Sequence, residues 1–222
     1  MKVAVIGGGS SYTPELLDGL INRASALEIA EVALHDIDPS RLETVAAFCR
    51  RMAEARESKI SVTHTTDLAQ ALQEVSFVIA QIRVGGNAAR REDECLGIRH
   101  GLIGQETTGV GGFAKALRTI PAMLDIARAM ERECPRALLI NFSNPSGIVT
   151  EALLKHTSIN AIGLCNIPIN FYIDVAEAFG AAREQVRLDY IGLNHLSWVR
   201  KIEVAGKDVT REVLEWSDAP GR

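Results

Sequence analysis

Six short runs of apolar residues recur along the first three quarters of the chain, and amphipathic or polar segments separate them. The runs are rich in Val, Ile, Leu and Ala, a composition typical of strands that are buried on both faces. We therefore predict six strands, at Lys2–Ile6, Glu31–Asp36, Lys59–Thr63, Phe77–Ile82, Ala137–Phe142 and Ala161–Leu164. Strands that alternate with helices predict an α/β fold with a doubly wound, mostly parallel sheet.

The pattern changes after the last of these runs. A helix to about Phe179 and a strand over Gln185–Gly192 continue the alternation. Trp198–Val204 is predicted to begin a new, antiparallel sheet, because a turn follows it directly. We therefore predict one large domain over residues 1–192 and the beginning of a second, α+β domain over residues 193–222, which we expect to be truncated.

Three glycines follow the first strand directly, and a helix-start signal follows the glycines. Thr13 suits the N-cap position and Pro14 the first helical position. A strand, a glycine turn and a helix N-terminus favour a bound phosphate, because backbone N–H groups and the helix dipole meet there. The third glycine of the usual fingerprint is replaced by Tyr12, so the motif is incomplete.

The end of the second predicted strand strengthens the interpretation of this turn. Asp36 stands where a Rossmann fold places the carboxylate that binds a ribose. Arg83 follows the fourth strand, at the edge of the sheet where ligands bind in such folds. We predict a Rossmann-like dinucleotide site formed by Gly7, Gly8, Gly9, Ser10, Ser11, Tyr12, Asp36 and Arg83.

Composition and charge narrow the class of protein. Of the 222 residues, 47% are hydrophobic and 23% are charged, which is ordinary for a globular protein with a core. The net charge of −4 argues against a nucleic-acid partner. No apolar run approaches the roughly 18 residues of a membrane span, and the N-terminus leads into a strand rather than a signal peptide. Four scattered cysteines predict a reducing cytoplasm rather than disulfides.

Residues 87–113 do not fit the alternation. The glycine-rich segment Gly104–Gly112 predicts an irregular loop, of the kind that often forms a lid or contacts a substrate. The charges of Arg90–Glu94 are predicted, for the most part, to be a solvated helix face. Further along, Asn144 is predicted to cap the helix that follows, with Pro145 at its first position.

Two further side chains follow predicted strands at their carboxyl ends. Cys165 comes after the sixth strand, and His195 after the strand that ends at Gly192. Taken alone, Cys165 is most simply a small buried residue and His195 a core histidine. A Cys/His pair can also bind a metal, and the softness of the thiolate would favour zinc.

Four separated pieces of the sequence match one family together. They are Gly7-Gly8-Gly9-Ser10 with Tyr12-Thr13-Pro14, Gly104-Gln105-Glu106-Thr107, Ser143-Asn144-Pro145, and Cys165-Asn166-Ile167-Pro168 with Asn194-His195. Together they resemble the NAD- and divalent-metal-dependent glycosidases of glycoside hydrolase family 4. Within that family, Cys165-Asn166-Ile167-Pro168 is similar to the 6-phospho-β-glucosidase branch. The resemblance covers the whole chain.

The resemblance implies a redox-assisted hydrolysis of 6-phospho-β-glucosides, or of a related phosphorylated disaccharide. Its steps are oxidation at C3 of the sugar by NAD, elimination of the aglycone and addition of water, unlike the usual mechanism with two carboxylates. It implies Cys165 and His195 as ligands of a divalent metal, Mn²⁺ in the family. It places Arg90, Asn144 and Asn166 at the substrate, and Gln105 and Glu106 at the nicotinamide.

The resemblance also sets expectations beyond these residues. The tyrosine taken as the base for the C2 proton in the family lies beyond Arg222, and Tyr12, Tyr172 and Tyr190 do not occupy its position. We therefore expect the N-terminal part of such an enzyme, which binds cofactor without completing the reaction. We also expect a homo-oligomer.

Two other functions share parts of this pattern. An NAD-dependent 2-hydroxy acid dehydrogenase of the lactate or malate type has the same strand order and an Asn-Pro after a strand. It would need a His–Asp pair as acid and base, and His195 has no acid near it in the sequence. A non-catalytic NAD-binding module is the other alternative. Metal dependence separates the glycosidase from the dehydrogenase.

Overall fold

The apolar runs of the first unit form one sheet of six parallel strands. The computed structural model describes residues 1–217, and its first sheet contains β1 (Lys2–Ile6), β2 (Glu31–His35), β3 (Ser61–Thr65), β4 (Phe77–Ala80), β5 (Leu138–Asn141) and β6 (Asn160–Gly163). Neighbouring strands follow the order β3-β2-β1-β4-β5-β6, and every pair is parallel. This order is that of a doubly wound dinucleotide-binding fold, with its switch point between β1 and β4. The predicted fold class is confirmed.

Seven helices connect these strands, and they cover both faces of the sheet. They are α1 (Thr13–Ile21), α2 (Ala24–Leu27), α3 (Pro39–Ala55), α4 (Leu68–Leu72), α5 (Gly86–Arg99), α6 (Gly109–Glu133) and α7 (Ser146–His156). Alternate residues of β1 enter two separate buried clusters. Ile6 lies in the cluster that contains Met130 of α6, and Val5 in the one that contains Leu17 and Leu42. Burial on both faces explains the continuous apolar runs.

The start of α6 differs from the prediction of an irregular segment through Gly112. Gly111 and Gly112 lie within the helix and are buried. A Cβ on Gly111 would lie 2.1 Å from the carbonyl oxygen of Gln105 and 2.7 Å from that of Asp93. The prediction is wrong for residues 109–112, because these glycines permit close backbone packing rather than flexibility.

Two predicted helix caps are also wrong. The helix α1 begins at Thr13 itself, and the hydroxyl of Thr13 accepts a hydrogen bond from Gln81 Nε2 at 2.7 Å instead of capping the helix. The helix α7 begins at Ser146, and Pro145 occupies its cap position with an extended backbone. Asn144 therefore lies one residue upstream of that cap, so it does not cap the helix.

The second unit contains a separate antiparallel sheet. Contacts divide the chain into the units Met1–Leu164 and Cys165–Arg222, and the second, described to residue 217, contains α8 (Ile167–Ala178), β7 (Val186–Leu193), β8 (Leu196–Val204), β9 (Lys207–Asp208) and α9 (Thr210–Ser217). The strands follow the order β7-β8-β9. A buried cluster around Val175, Val186 and Ile202 forms the core of this unit.

The strand β7 therefore pairs within the second unit instead of extending the parallel sheet. The domain boundary expected between residues 192 and 193 stays a prediction, and residues 218–222 of its second part lie outside the described residues. Across residues 1–217, no helix combines the length and the apolarity that crossing a membrane would require.

Candidate functional site

The glycine turn after β1 is fixed by hydrogen bonds from its own N–H groups. Gly7 and Gly8 both donate to the carbonyl oxygen of His35, at 2.9 and 2.7 Å. Gly9 donates to Asp36 Oδ2 at 2.9 Å. Gly7 has a φ of +89°, a conformation that glycine adopts without a steric penalty. The turn is thereby tied to the end of β2.

Few N–H groups of this turn remain for a ligand. The N–H of Ser10 donates to Gly7 O at 3.1 Å, and that of Tyr12 donates to Ser10 Oγ at 3.2 Å. Within residues 1–217, the N–H of Ser11 has no hydrogen-bond partner. Ser11 lies just ahead of α1, where the helix dipole favours an anion. A phosphate at this turn would therefore meet the Ser11 N–H and the helix N-terminus.

The Asp36 carboxylate lies beside the turn with both oxygens engaged. Oδ2 accepts from Gly9, and Oδ1 accepts from the N–H of Asp38 at 3.1 Å. A carboxylate oxygen can accept more than one hydrogen bond, so a ribose hydroxyl can still donate to it. A Cβ on Gly9 would lie 2.9 Å from Oδ2. Arg41 Nη2 donates to Gly9 O at 3.3 Å, so a guanidinium lies at the same turn.

Four charged side chains converge near the carboxyl end of β4. The Glu106 side chain is only 10% exposed, and it accepts hydrogen bonds from Arg83 Nη1 at 2.6 Å and from Lys115 Nζ. Arg90 Nε lies 3.6 Å from the other carboxylate oxygen, and 2.8 Å from Glu94 Oε1. Three predicted site residues, on different segments of the chain, are thus brought together.

Burial and charge oppose each other in this cluster. Burial alone would raise the pKa of the Glu106 carboxyl, but the hydrogen bond and charge of Lys115, with the charges of Arg83 and Arg90, lower it. Burial lowers the pKa of Lys115, and the hydrogen bond to Glu106 opposes that shift. The hydrogen bond to Glu94 raises the pKa of Arg90. Three cations face two carboxylates, so the cluster carries a net positive charge when all five groups are ionised.

Lys115 was not predicted from the sequence, although a signal for it exists. It occupies a position of α6 that shares a face with Gly111, Thr119 and Met123, all of them buried. A lysine within the buried stripe of a helix requires a partner, because a buried charge is costly unless it is paired. The buried stripe of α6 could therefore have identified Lys115 as a candidate site residue.

The predicted solvated face of α5 is partly wrong. Arg90, Arg91 and Glu92 are exposed, as expected. Asp93 is only 3% exposed, and it binds the Arg118 guanidinium with two contacts, at 2.9 and 2.6 Å. The partner lies 25 residues away on α6, so the local sequence pattern does not reveal it. This ion pair joins the two helices that flank Glu106.

Asn144 lies at the carboxyl end of β5, half-buried. The preceding Ser143 is held in place, because its N–H donates to Asn141 Oδ1 at 2.8 Å and its Oγ accepts from the N–H of Ile82 at 3.0 Å. These bonds tie the segment after β5 to the segment after β4. The structure therefore places Asn144 at the ligand-binding edge of the parallel sheet.

Cys165 and His195 meet within the second unit. Cys165 Sγ and His195 Nε2 are 3.4 Å apart, and both side chains are half-buried. His195 lies in the turn between β7 and β8 with a φ of +60°, a left-handed conformation uncommon for residues with a side chain. Asn166, next to Cys165, is exposed at the start of α8.

This pair fits two ligands of one metal ion. Bonds as long as those of zinc, about 2.3 Å to sulfur and 2.1 Å to nitrogen, would place the two atoms roughly 3.1–3.6 Å apart for bond angles of about 90–110°. The measured 3.4 Å falls within that range. Among the described residues, no group of three or more His, Cys, Asp and Glu side chains is gathered for a metal.

Comparisons with known proteins agree on one family. Residues 2–181 match the model described as family 4 glycosyl hydrolase. The chain is 44% identical to the 6-phospho-beta-glucosidase BglT of Thermotoga maritima over 97% of its length, and 40% identical to the 6-phospho-beta-glucosidase of Escherichia coli over 97%. It covers 51% and 49% of those proteins, and so spans about half the length of the curated relatives it matches.

Solved structures show the same relationship. The chain superposes with a TM-score of 0.89 and 43% identity on the Thermotoga maritima 6-phospho-beta glucosidase solved with manganese, NAD+ and glucose-6-phosphate, covering 98% of this chain and 54% of that one. A lactate dehydrogenase from Eimeria maxima, at 16% identity and a TM-score of 0.68 over 97% of this chain and 60% of that one, shares the fold alone.

Proposed function

Because the chain belongs to the family 4 glycosyl hydrolases, we propose that it takes part in the hydrolysis of 6-phospho-β-glucosides with NAD and a divalent metal, Mn²⁺, as cofactors. Two relatives that it matches at 44% and 40% identity are named for that activity. A Thermotoga maritima relative has been solved with manganese, NAD+ and glucose-6-phosphate.

The observation that carries this proposal is the approach of Cys165 Sγ to His195 Nε2 at 3.4 Å. A dinucleotide turn and its aspartate are shared with many dehydrogenases, so they do not separate the candidate functions. Two ligand atoms at metal-binding separation favour a metal-dependent reaction. We propose that Cys165, as the thiolate, and His195, through Nε2, hold the ion.

The cofactor is proposed to bind at the β1 turn. The Ser11 N–H and the N-terminus of α1 suit the pyrophosphate, and the Asp36 carboxylate suits a ribose hydroxyl. Arg83 and Glu106 are proposed at the nicotinamide end, on the strength of the family resemblance. The cofactor-binding set is Gly7, Gly8, Gly9, Ser10, Ser11, Tyr12, Asp36, Arg83 and Glu106.

The sugar is proposed to contact Arg90, Asn144 and Asn166. The Arg90 side chain is 45% exposed and carries a guanidinium, the group best suited to a phosphate. When bound, NAD would exchange a hydride with C3 of the sugar while the metal supplied Lewis acidity at its oxygens. The residues of this chain bind and orient those groups, and we assign the base for the C2 proton to none of the described residues.

Binding measurements test this proposal. We expect calorimetry to show binding of NAD⁺, Mn²⁺ and glucose 6-phosphate, with glucose binding at least about tenfold more weakly because it lacks the phosphate. We expect no net NADH when L-lactate or L-malate is added with NAD⁺. Net reduction of NAD⁺ by either acid would favour the dehydrogenase, and binding of NAD⁺ without metal or sugar phosphate would favour a non-catalytic module.

Two finer properties belong to the same proposal. We propose a reducing, cytoplasmic location, because Cys49, Cys95, Cys134 and Cys165 are all free thiols. We also propose a homo-oligomer, in line with the exposed apolar side chains of Leu193 and Trp198 on the second sheet. Sedimentation of the purified chain measures its state of association.

A further inference from the structure

A buried lysine lies directly behind the charged cluster that faces the ligand edge of the first unit. The Lys115 side chain is 5% exposed, whereas those of Arg83 and Arg90 are 35% and 45% exposed. All three side chains form ion pairs with one carboxylate, that of Glu106. Solvent, and hence a ligand, reaches the arginines far more easily than the lysine.

Glu106 would otherwise compete with any anionic ligand. Its Oε2 accepts from Arg83 at 2.6 Å, and its Oε1 lies 3.6 Å from Arg90. A phosphate at Arg90 must overcome the repulsion of this nearby carboxylate. The Lys115 ammonium contacts Oε2 from the buried side and offsets that charge.

We propose that Lys115 is a positioning residue, which neutralises Glu106 from within the protein and so leaves Arg90 able to bind the phosphate of a sugar. The inference rests on the proposed function for the class of ligand. It goes further by giving a role to a residue that does not itself reach the ligand. Arg83, Arg90, Lys115, Glu94 and Glu106 together carry a charge of +1, and loss of the lysine charge reduces it to zero.

The groups that face Glu106 also predict a pH signature. They are Arg83 after β4, Arg90 on α5 and Lys115 on α6; Glu94 reaches the cluster through Arg90. In Lys115→Met, burial of Glu106 remains while its closest cation is gone, so the pKa of Glu106 rises. Protonation of Glu106 as the pH falls would then release Arg90.

The test is calorimetric titration of the chain with glucose 6-phosphate between pH 5.5 and 8. We expect Lys115→Met to bind on the order of tenfold more weakly at pH 8, and the ratio to wild type to shrink toward pH 5.5. Comparison with wild type removes the titration of the phosphate itself, whose second pKa lies near 6. Binding of Mn²⁺, whose proposed ligands Cys165 and His195 lie in the second unit, serves as a second readout, and we expect it to change by less than about twofold.

A double variant guards against a simple folding defect. Lys115→Met with Glu106→Gln removes both buried charges, so neither is left unpaired. We expect this double variant to bind glucose 6-phosphate more tightly than Lys115→Met at pH 8. The ratio of its affinity to that of wild type should be the same at pH 5.5 as at pH 8. An affinity of Lys115→Met equal to wild type, or a loss that is the same at every pH and not reversed by Glu106→Gln, overturns the inference alone. A wild-type chain that binds neither glucose 6-phosphate nor inorganic phosphate overturns this inference and the sugar-phosphate part of the proposed function together.

Discussion

In the first unit, three glycine N–H groups tie the β1 turn to His35 and Asp36, whereas in the second unit Cys165 and His195 share a single contact of 3.4 Å. The candidate nucleotide site consists mainly of backbone that is already hydrogen-bonded. The candidate metal site consists of two side chains whose common partner would be an ion. Backbone hydrogen bonds therefore preorganise the first site, whereas the second rests on one contact between two side chains.

The two sites should therefore respond differently to amino-acid substitutions. A preorganised backbone site is sensitive to added atoms, because nothing nearby can move away cheaply. A two-ligand site is sensitive to removed atoms, because each ligand is a large share of the coordination that the chain supplies. Substitutions can test the two statements separately.

The largest expected effect is on the packing beside Glu106. Gly111→Ala would place a Cβ 2.1 Å from Gln105 O and 2.7 Å from Asp93 O, both backbone atoms. We expect the free energy of unfolding to fall by about 3 kcal/mol, the upper end for overpacking. Denaturant titration measures it. The control is Gly19→Ala on α1, because its Cβ meets nothing within 4 Å. We expect the free energy of unfolding of this variant to rise by up to about 1 kcal/mol.

Removal of either candidate metal ligand should break the second site and spare the first. We expect Cys165→Ser and His195→Asn to weaken Mn²⁺ binding by roughly a hundredfold, with NAD⁺ affinity unchanged. Asn suits the left-handed backbone of residue 195, so the turn should persist. Cys95→Ser, which changes a free thiol elsewhere, is the matched control. Calorimetric titration with Mn²⁺ measures these affinities. An Mn²⁺ affinity of Cys165→Ser equal to that of wild type would exclude the thiolate from the site.

A smaller effect is expected on the choice of cofactor. Asp36 should favour NAD over NADP by about tenfold or more, because its charge repels a 2′-phosphate. Asp36→Asn should narrow that ratio, since Arg41 lies at the same turn and could pair with the phosphate. In the double variant with Arg41→Gln, the affinity for NADP should fall again, because the guanidinium at the turn is gone. Equal affinity of the wild-type chain for the two cofactors would show that Asp36 does not contact the ribose.

The sequence was sufficient where a local pattern determines the structure. The six apolar runs predicted the six parallel strands, because burial on both faces leaves a continuous apolar signal. The pattern does not assign β7 to the second sheet, because the composition of one strand does not encode its pairing partner. The pattern also predicts a loop at Gly111 and Gly112, because a glycine needed for close packing looks the same in sequence as one needed for flexibility.

The charged residues of the site show the same limit. Arg83, Arg90 and Glu106 were predicted as site residues, and the structure brings them together around one carboxylate. Lys115 and the pair of Asp93 with Arg118 were missed, because their partners lie 9 and 25 residues away. Thr13 was predicted as a cap, but the side chain of Gln81, distant in sequence, engages its hydroxyl instead. Tertiary partners, rather than propensity, decide such positions.

The most direct test of the account is an NAD⁺ titration of the wild-type chain, Gly9→Ala and Gly19→Ala. A Cβ at residue 9 would lie 2.9 Å from Asp36 Oδ2, and displacement of that carboxylate removes the ribose contact and narrows the approach of the pyrophosphate. We expect Gly9→Ala to bind NAD⁺ about a hundredfold more weakly, while Gly19→Ala binds as wild type and both variants retain Mn²⁺ affinity. If Gly9→Ala binds NAD⁺ as tightly as Gly19→Ala, the β1 turn is not the cofactor site.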